Sequence, residues 1–122
     1  MATDWSDDIS ISHLSDEPAL SEELGAVITR LENNEQTPHV VLDFAAVSYL
    51  NSSNLAQMLR IKHLLEERGR SMKVSGMAEE PWSIMTVTGL DKLFRFAPDI
   101  MTALAGLQIE EEQSQSAEPD EE

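Results

Sequence analysis

The 122-residue chain contains no cysteine, only five glycines and no long apolar run. Without cysteine there are no disulfide bonds and no thiolate chemistry. The glycines are scattered along the chain, so no glycine-rich loop of the kind that cradles phosphate groups is present. A membrane-spanning helix needs roughly 18 or more consecutive apolar residues. We therefore expect no membrane insertion.

Basic residues are also scarce, since eight Lys and Arg stand against 23 Asp and Glu. The excess acid lies at the two ends, whereas residues 41–100 carry seven acidic and seven basic side chains. Nucleic-acid binders usually present a basic face, and none is evident, so we expect no nucleic-acid partner. The acidic start lacks the basic and apolar segments of an export signal, and we expect a cytoplasmic location.

The hydrophobic pattern alternates between strand and helix periods. Alternation over Ile9–Leu14 predicts a half-buried strand, and the stripe Leu24–Leu31 predicts a helix. The apolar run that opens at Val40–Leu42 is typical of a central strand covered on both faces. A second helix follows, from Asn51 to a glycine cap at Arg68–Gly69.

The rest of the pattern repeats this alternation. We expect a third strand over Met72–Gly76, a short helix that begins at Glu79 and ends at Gly89, and a short strand over Leu93–Phe96. A final helix should follow Pro98–Asp99. This order predicts an α/β fold with about four strands in a mixed, mostly parallel sheet and about four helices.

The predicted domain spans residues 8–108. Residues 1–7 are expected to form a flexible N-terminus. Residues 109–122 are expected to form an acidic disordered tail, because from Glu110 onward they include no large apolar side chain that could be buried.

No constellation of catalytic residues stands out. The three histidines are not in a metal-ligand spacing, and His63 beside Glu66 and Glu67 is typical of a solvated helix face. We therefore expect a protein that is not an enzyme and that holds no metal and no cofactor.

The segment Asn51–Asn54 joins the predicted central strand to the second helix. Asn51 is a strong helix-cap candidate, so Ser52 and Ser53 would be the first helical residues. Sites in α/β sheets form at the carboxyl ends of strands, and a helix N-terminus favours phosphate. Two interpretations follow from the residues alone: the polar side chains only cap the helix, or a serine hydroxyl is exposed where a phosphate would be tolerated.

Two segments resemble the signatures of the STAS domain, the fold of bacterial anti-sigma factor antagonists. The run VVLDFAAVSYLNSSNL, residues 40–55, is similar to a strand Val-Val-Leu-Asp-Leu followed by Asp-Ser-Ser-Gly-Leu. Downstream, residues 88–94 read TGLDKLF and match the second signature closely. The resemblance covers residues 8–108.

The resemblance implies a function and a site. By position, Ser52 corresponds to the serine that a partner kinase phosphorylates in such antagonists. The implied partner is an anti-sigma factor with serine kinase activity, which the unphosphorylated protein binds. The implied contact face is Asn51, Ser53, Asn54 and Gln57 around Ser52.

The sequence also departs from the family pattern. Asn51 stands where the family has Asp, Asn54 where it has Gly, and Ser15-Asp16-Glu17-Pro18 replaces a Gly-x-Leu-Asp segment. These departures keep open an alternative: a STAS interaction module that does not switch, such as a scaffold or a cytoplasmic subunit of a transport complex.

Overall fold

The fold is seen in a computed structural model, which describes residues 2–5 and 8–116. Its elements alternate between strand and helix after the first hairpin. In chain order they are β1 Ala2–Trp5, β2 Ile9–Ser15, α1 Ala19–Asn33, β3 His39–Ala46, α2 Ser52–Glu67, β4 Met72–Ser75, α3 Glu79–Thr88, a 3-10 turn Leu90–Lys92, β5 Arg95–Ala97 and α4 Ile100–Ser116.

The sheet has the order β1-β2-β3-β4-β5. Strands β2 to β5 are parallel to their neighbours, and β1 pairs antiparallel with β2. Because the parallel strands follow one another in a single direction, right-handed crossovers place α1, α2 and α3 on the same face. The predicted mixed, mostly parallel α/β sheet is confirmed.

Helices cover both faces of the sheet. The main core lies between the sheet and α1 to α3, where Leu24, Leu42 and Met58 are fully buried. A smaller core on the other face packs Val41 of β3 against Ala103 and Leu107 of α4. The central strand β3 is therefore buried on both sides, as its continuous apolar run predicted.

Three parts of the prediction differ from the structure. Residues 2–5, within the segment expected to be flexible, form a fifth strand, because backbone pairing with β2 does not require an apolar side-chain pattern. Met1, Ser6 and Asp7 lie outside the described residues. The last strand is Arg95–Ala97 and not Leu93–Phe96, since the backbone of Leu93 closes a turn onto the Leu90 carbonyl.

The third difference concerns the acidic end, which was expected to be disordered over residues 109–122. Helix α4 continues to Ser116, and residues 117–122 lie outside the described part of the chain. Glu and Gln are good helix formers, so a helix that is already anchored by its buried first turns can extend through them without further burial.

Leu42 provides a test of this packing. The side chain is fully buried in the centre of β3. We expect Leu42→Ala to lower the free energy of unfolding by about 3 kcal/mol, because it leaves a cavity. Val87→Ala, at a position that is 86% exposed, should change it by less than about 0.5 kcal/mol. Urea unfolding measures both, and equal effects would contradict the assigned core.

Candidate functional site

The candidate site is the turn that leads from β3 into α2. Val47 and Leu50 are buried in the main core and hold the connecting loop against the sheet. Between them, Ser48 and Tyr49 are exposed. The loop therefore enters α2 from an anchored position at the carboxyl edge of the sheet.

A reciprocal pair of hydrogen bonds begins α2. Oδ1 of Asn51 accepts from the backbone N–H of Asn54 at 2.8 Å, and Oδ1 of Asn54 accepts from the backbone N–H of Asn51 at 2.9 Å. This capping box satisfies two backbone donors at the helix start. The prediction that Asn51 caps this helix is confirmed.

The two serines of the turn are exposed. Ser52 and Ser53 are the first two residues of α2, and neither hydroxyl bonds to another residue in the part of the chain that the structure describes. Both lie at the end of a helix where backbone N–H groups favour a negative charge. Both hydroxyls are therefore accessible without the loss of an existing contact.

The Glu17 carboxylate fastens this turn to α1. Its Oε2 accepts from Nδ2 of Asn54 at 2.9 Å and from Nδ2 of Asn51 at 3.3 Å. Both oxygens also accept from Ser21, one from the hydroxyl and one from the backbone N–H. The Ser21 hydroxyl, followed by the Asn54 amide, lowers the pKa of Glu17 to about 2. The carboxylate is therefore ionised at neutral pH.

A second acid makes a parallel contact one residue earlier. Oδ1 of Asp16 accepts from the backbone N–H of Ser48, and Oδ2 accepts from the Ser48 hydroxyl, each at 2.8 Å. The backbone N–H of Ser48 is the main cause that lowers the pKa of Asp16, and the hydroxyl adds to it. Adjacent acids of the β2–α1 loop thus hold both ends of the β3–α2 loop.

The structure separates the five predicted site residues into surface and support. Ser52 and Ser53 are exposed and Asn51 is half-buried, whereas Asn54 is fully buried. Nε2 of Gln57 donates to the backbone carbonyl of Ser21 at 3.0 Å, so Gln57 joins α2 to α1. The expectation that Asn54 adds a polar group to the contact face is corrected, because its side chain points under the turn toward Glu17.

Sequence reasoning missed Asp16, Glu17 and Ser48. A signal for them was present, because loops that follow neighbouring parallel strands meet at one edge of the sheet. The acids follow β2, and the turn follows β3, which pairs with β2. The adjacency was therefore predictable, although the choice of bonded atoms was not.

Glu17 also explains the amide at position 51. An aspartate there could still cap α2, but its carboxylate would face that of Glu17 and would have no N–H to donate. Asn51 donates to Glu17 and caps the helix at the same time. Glu17, from a different loop, thus places a negative charge beside the Asn51 amide.

The described residues offer no metal site and no spanning helix. Among the side chains that the structure describes, those of residues 8–109, no group of three or more His, Asp or Glu could hold a metal ion. His63, whose metal-binding potential was considered from the sequence, pairs with Glu67 at 3.1 Å on an exposed helix face. None of the helices in this part of the chain is long and apolar enough to cross a membrane.

Comparison with known families identifies the domain. The family model of the STAS domain matches residues 19–103, more than half of the chain. This chain belongs to the STAS domain family. The matched range holds α1 and the β3–α2 loop, whereas the β2–α1 loop, Asp16, Glu17 and Pro18, lies just before it.

Solved STAS structures share the fold at low sequence identity. A form of RsbS from Moorella thermoacetica with one serine replaced by glutamate has a TM-score of 0.75 and 16% identity, over 91% of this chain and 97% of that one. The anti-sigma factor antagonist SpoIIAA, in its unphosphorylated form, has a TM-score of 0.64 and 12% identity, over 86% and 94%.

The fold likeness extends to a transporter protein. A sulfate transporter family protein from Wolinella succinogenes has a TM-score of 0.68 and 19% identity, over 84% of each chain. At these identities the comparisons show that the STAS fold is shared.

The pairing of Asn51 with Glu17 is testable by exchanging the charge. We expect Asn51→Asp to lower stability at neutral pH and low salt, because it brings two carboxylates together and removes a donor. In a Glu17→Gln background the same substitution should cost less. Urea unfolding of the wild type, the two single variants and the double variant gives the coupling free energy between positions 17 and 51. Additive effects on the free energy of unfolding would contradict a direct contact.

Acid should weaken the same contact. The pKa of Glu17 is about 2 in the folded protein against an ordinary value of 4.5, so its contribution to stability is complete above about pH 4.5 and is lost as the pH falls toward 2. The stability difference between the wild type and Glu17→Gln should therefore shrink over this range. Urea unfolding at several pH values measures it, and a constant difference would contradict the assignment.

Proposed function

We propose that this STAS domain is a bacterial anti-sigma factor antagonist, regulated at Ser52. In this proposal it binds an anti-sigma factor with serine kinase activity, and phosphorylation of Ser52 ends the binding. The protein acts as a cytoplasmic regulator and not as an enzyme. One observation carries the proposal: the hydroxyl of Ser52 is exposed on a turn that is held in place by hydrogen bonds between the β2–α1 loop and the start of α2.

Electrostatics supports a switch at this position. A phosphate adds about 1.5 to 2 negative charges at neutral pH, and the free N–H groups of the α2 N-terminus favour it. The Glu17 carboxylate lies on the α1 side of the turn and would repel a phosphate on that side. The phosphate on Ser52 would therefore point away from α1, toward the surface where we propose that the partner docks.

The exposed side chains around Ser52 define the proposed contact face. Ser53 lies beside Ser52, and Asn51 forms the rim of the face. Tyr49 is 56% exposed in the same loop and is an aromatic residue of the type that often dominates binding energy. Asn54 and Gln57 act in this proposal as supports that hold the face in shape.

The family relationship gives independent support. SpoIIAA is described as an anti-sigma factor antagonist with an unphosphorylated form, and it shares this fold. The RsbS form with glutamate in place of serine shares it too. These likenesses make phosphorylation of a STAS domain serine a reasonable route of regulation for this chain.

The test combines phosphorylation with binding to the cognate anti-sigma factor. Incubation with this partner and ATP should add one phosphate to the wild type and none to Ser52→Ala, as measured by intact mass. Ser52→Asp should weaken binding at least about tenfold in calorimetry, because charge is placed inside a contact. Ser52→Ala should still bind.

Gln36→Asp provides the charge control. Gln36 is exposed in the loop before β3, at the opposite edge of the sheet, and the substitution adds the same charge there. Its affinity should match that of the wild type. If Ser52→Ala and Ser52→Asp bind the partner equally, or if the phosphate is found elsewhere, the switch at Ser52 is refuted.

A second candidate is a STAS module that binds without switching. Two observations favour it: Asn51 replaces the acid of the family motif, and the fold is similar to that of a sulfate transporter family protein. Under this function a pull-down returns scaffold proteins or transporter subunits, and the recovered domain carries no phosphate. Recovery of a kinase-like anti-sigma factor would favour the first candidate.

A further inference from the structure

A cavity of about 320 Å³ lies at the edge of the sheet opposite to Ser52. It is open to solvent on one side and is lined by the last turns of α2, the segment that enters β4, and the 3-10 turn before β5. The length of α2 separates the cavity from the Ser52 turn, because this helix begins at the carboxyl edge of the sheet and ends at the amino edge. The proposed phosphoswitch uses none of its residues.

The cavity concentrates positive charge. Four of the eight Lys and Arg residues of the chain line it, and Glu66 is the acidic residue in the lining. Lys62 pairs with Glu66, and the lining as a whole has a formal charge of +3 in a chain whose net charge is −15. The four cations are Lys62, Arg70, Lys92 and Arg95.

The segment that carries Arg70 is held in place. Gly69 adopts a left-handed conformation with φ of 69°, and the backbone N–H of Arg70 donates to the Leu65 carbonyl at 2.9 Å, which closes the end of α2. The backbone N–H of Ser71 donates to Nδ1 of the buried His39 ring at 3.0 Å. These bonds fix the backbone of Arg70 and Ser71 beside the cavity.

The lining combines these cations with a hydroxyl and an apolar wall. Ser71 adds a hydroxyl that can donate, and Phe94 and Leu65 add apolar surface. Guanidinium and ammonium groups bind phosphate through charge-assisted hydrogen bonds, and the volume falls at the lower end of small-molecule sites.

We propose that this cavity binds a small organic phosphate, a phosphomonoester with an apolar or aromatic group, independently of Ser52. The phosphate lies between Arg70 and Lys92, and the organic group packs against Phe94. The domain would then respond to two separate signals. These are phosphorylation of Ser52 at the carboxyl edge of the sheet and binding of the organic phosphate at the amino edge.

The experiment titrates the full chain with phenyl phosphate, and in parallel with inorganic phosphate, followed by amide chemical shifts in NMR. Shifts should concentrate at Ser71 and at residues 92–95, with tighter binding of phenyl phosphate because of its ring. Inorganic phosphate binding equally well would refute the apolar subsite. Absence of saturable binding of either probe at millimolar concentrations would refute the site.

Variants separate this site from general charge attraction. The double variant, with Arg70→Ala and Lys92→Ala in one protein, should bind phenyl phosphate at least about tenfold more weakly, because it lacks two charge-assisted contacts. Arg60→Ala removes the same kind of charge from α2 but outside the cavity, where Arg60 pairs with Glu32 at 3.0 Å. It should leave the affinity unchanged.

Two further controls protect this comparison. Lys92 is exposed, so Lys92→Gln should not disturb the fold. This single variant therefore still tests the site if the double variant does not fold. Ser52→Ala should bind phenyl phosphate as the wild type does, whether or not Ser52 is a phosphoacceptor. Equal losses of phenyl phosphate affinity in Lys92→Gln and Arg60→Ala would refute the proposal. Amide chemical-shift changes spread over the whole surface would refute it too.

Discussion

Parallel pairing of β2 with β3 brings the loops that follow both strands to the same edge of the sheet. The arrangement of the Ser52 turn depends on this pairing. Asp16 and Glu17 leave β2 beside the loop that leaves β3, so their carboxylates meet the N–H groups of Ser48, Asn51 and Asn54. Burial of Val47 and Leu50 holds that loop in reach. Pairing and core packing together position the cap of α2, and the cap exposes the serines.

The two edges of the sheet carry opposite local charge. At the carboxyl edge two ionised acids are satisfied by amides and hydroxyls, and the helix start beside them remains open to solvent. At the amino edge, half of the basic side chains surround a cavity. Over the thickness of the domain, salt at physiological strength screens each edge from the other, since the Debye length is about 8 Å. The two edges can therefore recognise different chemistry.

Local signals in the sequence were sufficient for most of the fold and for the position of the site. Alternation in β2, the continuous run in β3 and the caps at Asn51 and Gly89 depend on neighbouring residues, and these predictions agree with the structure. The bonds of Glu17 could not be predicted in the same way, because Glu17 and Asn54 are 37 positions apart. The same holds for Asn54, whose burial depends on α1 and not on its own helix.

The contact between Glu17 and Asn51 changes how this turn should be compared with its relatives. In an alignment, the amide at position 51 reads as the loss of an acidic residue next to the serine. In space, the Glu17 carboxylate of another loop bonds to this amide, so the turn that carries Ser52 is built from two separate segments of the chain. A short peptide that spans the turn lacks half of it. A protein that recognises this surface must therefore read the folded domain and not a linear motif.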